Sequence, residues 1–179
     1  MIDFTDSANP IEIAYFDRGP IMEEELITGG YWSVYYYEGA IYGTEITRGL
    51  DILKLIPSEY LSENEIAAAE LAYPLIGSRR LFNPQQQVPM TWPAKPVVAR
   101  AYIDQLLKDK ALEEDTAQSI IERLDLVDVA MEKGGNNRLA RQINRLELSV
   151  DALNVNAMTQ HRLEKLNATL KEIAEGLSK

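Results

Sequence analysis

The chain has 179 residues, enough for one medium domain or two small ones, and 46% of them are apolar, too many for general disorder. A formal charge of −10 argues against nucleic acid as a main partner, since phosphate binding needs clustered Lys and Arg. With no cysteine, disulfides, thiolate chemistry and cysteine metal sites are excluded.

The charge is unevenly placed. Residues 1–57 hold ten acidic and three basic side chains, whereas 94–179 hold fourteen acidic and thirteen basic ones. No apolar run approaches the roughly 18–20 residues of a membrane span, and Met1 to Asp6 lacks the basic and apolar regions of a signal peptide.

From the front, residues 11–55 read as strands. Ile11, Ile13 and Tyr15 alternate with Glu12 and Ala14, the period of a strand. After Glu23-Glu24-Glu25 and Gly29-Gly30 comes Tyr31-Trp32-Ser33-Val34-Tyr35-Tyr36-Tyr37, an aromatic density that favours a pleated surface. Glu38-Gly39 has the spacing of a two-residue hairpin before Ala40-Ile41-Tyr42, and Arg48-Gly49 marks a second turn before Leu50 to Leu55. Four short strands in sequence predict an antiparallel meander over 1–57. Alternation puts Trp32, Val34 and Tyr36 on one face and Tyr31, Ser33, Tyr35 and Tyr37 on the other.

Residues 58–73 switch to helix, with Ser62 and Glu65 spaced as a capping box and Pro74 as the stop. Within 58–93 this short helix precedes a stretch from 74 with four prolines and Gln85-Gln86-Gln87, the composition of a linker. From 94 to 179 the period is helical. Ala99, Ile103 and Leu106 form one stripe, and Ala117, Ile120, Ile121, Leu124, Val127 and Met131 a second, closed by Gly134. Leu139, Ile143, Leu146, Val150 and Leu153 follow Asn137 as N-cap, and Leu163, Leu166, Leu170, Ile173 and Leu177 follow Thr159. Four amphipathic helices bury such stripes best against one another, as a bundle. The predicted class is α+β, an antiparallel meander followed by an α-helical bundle.

Two resemblances sit on these segments. Asp3 to Pro10, Gly29 to Ser33 and Ile41 to Ile52 resemble the end of an LVIVD-repeat protein, a family of bacterial β-propeller-like chains. Ile2-Asp3-Phe4 and Leu50-Asp51-Ile52 look like two successive copies of that family's outer strand. The second resemblance spans 94–177, which is similar to the helical module called FIMAH, found at the C-termini of membrane-associated and secreted hydrolases. Its carriers are Ala117, Ile120, Ile121, Leu124, Lys133 to Asn137, Ala140, Leu146, Leu163 and Leu166.

Together the resemblances imply a binding or scaffolding module without catalysis, from a secreted or surface-attached propeller. They imply an extracellular or cell-surface location and a protein or cell-surface partner. A propeller closes with about four to eight blades, and one blade is present, so the expectation is a piece whose remaining blades lie upstream. An accessory end of an extracellular hydrolase and a small helical adaptor are the alternatives.

Candidate chemistry is sparse. His161 stands off the Leu163-Leu166 stripe and reads as a solvated surface residue, so zinc and His-dependent triads lose their usual groups. Glu23-Glu24-Glu25 is contiguous, without a calcium-loop pattern, and Glu113-Glu114-Asp115 suits a helix N-terminus. Lys133-Gly134-Gly135-Asn136-Asn137 lacks the spacing of a phosphate loop. No catalytic residue, metal site or cofactor is expected. The candidate binding residues are Glu45 and Arg48, in the Gly43-to-Gly49 segment, with Trp32 and Tyr36 in the aromatic run. A salt-bridged turn and blade-to-blade packing are the structural alternatives for these two pairs.

Overall fold

Seven residues rich in aromatics, followed by a turn that needs positive φ, set the first regular structure. In the computed structural model, β3 (Tyr31–Tyr37) and β4 (Ala40–Glu45) pair antiparallel through Glu38 and Gly39, at φ 47° and 79°. Two consecutive positive-φ residues give a hairpin turn whose twist matches its strands. The next turn spans three residues, with Gly49 at φ 92° opposite Glu45, and leads into β5 (Gly49–Leu53). The order β3-β4-β5 is the antiparallel meander expected, with three strands in place of four. The first strand is confined to β2 (Ile11–Glu12) and pairs with β1 (Ile2–Asp3) in a ladder of its own.

The alternation predicted for the aromatic run is broken at Trp32. Tyr31 pairs with Glu45 and Ser33 with Thr44, so Trp32 is an extra residue in the ladder, a β-bulge. The bulge moves Tyr31 onto the face of Val34, Tyr36, Gly43 and Asp51. Its ring lies over Gly43, where a Cβ would approach Tyr31 Cε1 to 2.5 Å. Glycine at 43 is required by that close approach.

The capping box forms as predicted, Ser62 Oγ accepting from Glu65 N–H at 3.1 Å and Glu65 Oε2 from Ser62 N–H at 2.7 Å. It opens α1 (Glu63–Glu70), shorter than the 58–73 expected. The linker predicted over 74–93 is in part a ladder, β6 (Tyr73–Pro74) pairing with β7 (Met90–Thr91). The structure describes the chain except Thr5, 76–88, 152–156 and Lys179, and except the side chains of 147–151, 157 and 158. The centre of that linker and Leu153, together with the side chain of Val150, therefore lie outside what the structure describes.

The chain forms two compact units, Met1–Thr91 and Trp92–Lys179. The second consists of α2 (Pro96–Lys108), α3 (Glu114–Glu132), α4 (Asn137–Asp151) and α5 (Ala157–Leu177). Pro96 occupies the first turn of α2, where its missing N–H costs nothing. Ala99, Ile103, Leu106, Ile120, Leu124, Val127, Ile143, Leu166, Leu170 and Ile173 are sealed from solvent in one cluster, the bundle core predicted from the stripes.

Three details differ from expectation. Met131 is exposed and Ala130 is buried in its place, one position round the helix. Asn136, not Asn137, caps α4, its Oδ1 accepting from the N–H groups of Arg138 and Leu139. Thr159 lies inside the first turn of α5 and is buried, so it does not cap that helix. Gly134, at φ 89°, follows the end of α3 as expected, with Gly135 N–H returning to the Ala130 carbonyl at 3.0 Å. No helix among the described residues is long and apolar enough to cross a membrane.

Candidate functional site

A cleft of about 290 Å³ lies between the segment 16–30 and one end of the β3-β4-β5 sheet. Phe16, Ile21 and Ile27 supply its apolar lining, and Asp17, Arg18, Tyr31, Glu45 and Arg48 its polar side chains. This volume is at the small end for a ligand pocket.

Glu45 ends β4 and is 9% exposed. Its Oε1 accepts from Gly30 N–H at 2.7 Å, and its Oε2 from Thr47 N–H at 2.9 Å and from Arg48 N–H. One carboxylate thus ties the strand entry at Gly30 to the turn at 46–48. The Gly30 N–H has the largest effect and holds its pKa below the usual value; burial, next in size, opposes it, and the Arg48 and Thr47 N–H groups and the Arg48 charge lower it further. Around it, Thr47 Oγ1 donates to the Thr28 carbonyl at 2.8 Å and Ile46 N–H to the Gly30 carbonyl at 3.1 Å.

Arg48 reaches the other wall, its guanidinium donating to the Pro20 carbonyl at 2.7 Å. Beside it, Asp51 Oδ2 receives both Tyr31 Oη, at 2.5 Å, and Arg18 Nη2, at 2.7 Å. The hydrogen bond to Asp51 raises the Tyr31 pKa, because losing the phenolic proton would set two anions face to face.

Of the four residues expected to bind, the structure brings Glu45 and Arg48 together in this cleft and leaves Trp32 and Tyr36 out of its lining. Trp32 sits on the bulge at 82% exposure. Tyr36 shares the face of Ile41 and Leu53; burial, then the charge of Glu70 in α1, raises its pKa. The salt-bridged turn considered for Glu45 and Arg48 takes another form here. Glu45 bonds to backbone N–H groups and Arg48 to a backbone carbonyl across the cleft.

The sequence pattern does not mark Arg18, Tyr31 and Asp51 as polar partners in a cleft. Arg18 and Asp51 are 33 positions apart, and no local spacing announces their pairing.

His161 is exposed on α5, and Glu23, Glu24 and Glu25 are exposed in the first unit. Glu113 sits at the N-cap of α3, with Glu114 and Asp115 in its first turn, where carboxylates offset the helix dipole. Among the described residues no three His, Cys, Asp or Glu side chains gather as a metal site.

The opposite sheet face has another character. Register places Ser33, Tyr35, Tyr37, Ala40, Tyr42, Thr44, Leu50 and Ile52 there, none carrying a formal charge at neutral pH. Leu50 is 59% and Ile52 61% exposed, and Tyr35 and Tyr37 are exposed beside them. Comparison with protein-family models, curated proteins and solved structures finds no match for this chain.

Proposed function

We propose that the chain is a non-catalytic binding or scaffolding module whose first unit packs its uncharged sheet face against a neighbouring blade-like sheet. The observation that carries this reading is the exposure of Tyr35, Tyr37, Leu50 and Ile52 together on that face. Taking large apolar side chains fully from water gains about 1.5–3 kcal/mol each, and a contiguous patch of them is the usual mark of an interaction surface. Sheets pack face to face through such residues.

The neighbour proposed is a blade of an LVIVD-type propeller, from the resemblance carried by Asp3 to Pro10, Gly29 to Ser33 and Ile41 to Ile52. The FIMAH-like character of 94–177 supports an extracellular or cell-surface setting for the same reading. Support for a non-catalytic role comes from the cleft. The Glu45 carboxylate accepts three backbone N–H groups and is stabilised as an anion, the opposite of what a general base at neutral pH requires. Asp51 likewise spends one oxygen on two internal donors.

Hydrogen exchange of the full chain tests the docking. Amides of 31–37 and 49–53, in the outer strands β3 and β5, are expected to exchange fast in the chain alone. They should slow when it is mixed with an LVIVD-type propeller lacking its last blade. Leu50→Lys with Ile52→Lys should abolish that slowing while leaving the helical unit protected. Strong protection of 31–37 and 49–53 in the chain alone, or protection by the partner that survives the double substitution, would overturn the reading.

A further inference from the structure

Among the described residues, five arginines hold partners within the fold. Arg18 holds Asp51, Arg48 the Pro20 carbonyl, Arg100 both Asp125 and Asp128, Arg123 the Ser119 hydroxyl and Arg162 Asp109. Arg138 and Arg141 differ. Both are exposed on α4, and among the described residues neither side chain has an ion-pair or hydrogen-bond partner. Arg145, also exposed but with an interaction of its own within the fold, continues their stripe at i+7. At 1.5 Å per residue the three arginines span about 10 Å of one helix face.

The local composition sharpens the contrast. Residues 133–146 contain Lys133, Arg138, Arg141 and Arg145 and no carboxylate, in a chain of net charge −10. The rest of the helical unit holds fourteen acidic against nine basic side chains. The stripe is also presented rigidly. Leu139, Ala140 and Ile143 are buried on the other side of α4. Its entry is pinned by Asn136 N–H to the Leu177 carbonyl at 2.8 Å. A Cβ at Gly135 would meet that same carbonyl oxygen at 2.7 Å, so the turn before α4 sits directly on the end of α5.

We infer that the Arg138–Arg141–Arg145 face of α4 is a docking surface for an acidic protein segment, one presenting carboxylates at helical spacing. Charge complementarity identifies the occupant. The planar guanidinium fork matches a carboxylate pair-wise, and a helix with Glu at i, i+3 and i+7 presents a matching stripe. A nucleic acid fits less well. Its phosphates would run past the 10 Å stripe onto a surface with net negative charge, where they are repelled. This surface lies wholly in the helical unit and stands independently of the proposed sheet docking.

Fluorescence anisotropy of the full chain tests it, with a fluorescein-labelled helical peptide of about twelve residues carrying Glu in that register. At about 50 mM salt the peptide should bind saturably, and binding should weaken as salt rises. Arg138→Gln with Arg141→Gln should weaken it roughly tenfold with an unchanged circular dichroism melt. Failure to bind would overturn the inference, as would equal binding by the double variant. A single-stranded oligonucleotide or a phosphatidylserine vesicle that binds more tightly than the peptide would overturn the assignment of a protein partner.

Discussion

The two units handle apolar surface in opposite ways. In the helical unit, stripes at three- and four-residue spacing close on one another, and Ile103, Leu124, Ile143, Leu166 and Ile173 are wholly removed from water. In the first unit, among the described residues only Ala40 and Ala68 are buried apolar side chains, while Trp32, Leu50 and Ile52 stay largely exposed. A bundle supplies each helix with partners from the same short stretch of chain. A three-stranded sheet has two faces to cover, and segment 16–30 covers only one end of one of them. The first unit is therefore held by polar ties: the Glu45 carboxylate, the Arg48 reach to Pro20, and the Arg18–Asp51–Tyr31 cluster. Hydrogen bonds in partly hydrated sites are worth less, net, than burial of aliphatic side chains.

That contrast can be broken most easily in the bundle. Leu166→Ala should destabilise the helical unit by about 2–5 kcal/mol, because Leu166 is 0% exposed and its removal leaves a cavity. Leu146 is only partly buried, so Leu146→Ala should cost about 1–2 kcal/mol, a fraction of the full transfer and cavity penalty. Chemical denaturation followed by circular dichroism measures both. Equal losses would mean that α4 packs as deeply at Leu146 as α5 does at Leu166.

The polar tie at Glu45 should show itself in acid. Its folded pKa lies below the unfolded value, chiefly through the Gly30 N–H, so its stabilisation is fully present above the unfolded value. That stabilisation is lost as pH falls through the folded pKa. Amide exchange at Gly30, Thr47 and Arg48 should accelerate relative to α2–α5 below the ordinary glutamate range, after correction for intrinsic pH dependence. Glu45→Gln should bring that loosening to neutral pH, since the amide presents an N–H₂ group to backbone donors. If those amides stay protected in the variant, the turn is held by its backbone geometry instead.

The smallest effect belongs to the solvent side of α4. Arg145→Ala should change stability by about 0.5 kcal/mol or less, although the residue belongs to the proposed docking face. A melt shifted as far as that of Leu146→Ala would place Arg145 in the packing of the bundle.

What could be read in advance follows from the range of the interactions. Helical periodicity, the Ser62–Glu65 box, Gly134 and the two-residue turn at Glu38-Gly39 are local patterns whose physics acts over three or four residues, and each forms as expected. The shift of the α4 cap to Asn136 is a one-residue error between two adjacent asparagines, each chemically able to cap. Ala130 in place of Met131 is the same error on a helix, because neighbouring positions lie about 100° apart and either can border a stripe.

The cleft was legible only in part. Glu45 and Arg48 stood out as polar residues in a turn between strands, but the purpose of each depended on residues far away in sequence. Tertiary structure alone decided that Gly30 and Pro20 come to meet them and that Arg18 and Tyr31 share one Asp51 oxygen. It also decided that a bulge at Trp32 would carry Tyr31 across the sheet, since one extra residue in a ladder inverts the alternation on one side of it. The sequence by itself determined where helices and hairpins form, because propensity, turn geometry and capping are properties of neighbours in the chain. It could not determine which side of the sheet each aromatic takes or where each arginine finds its acceptor, because register and long-range pairing are set by contacts that exist only once the chain has folded.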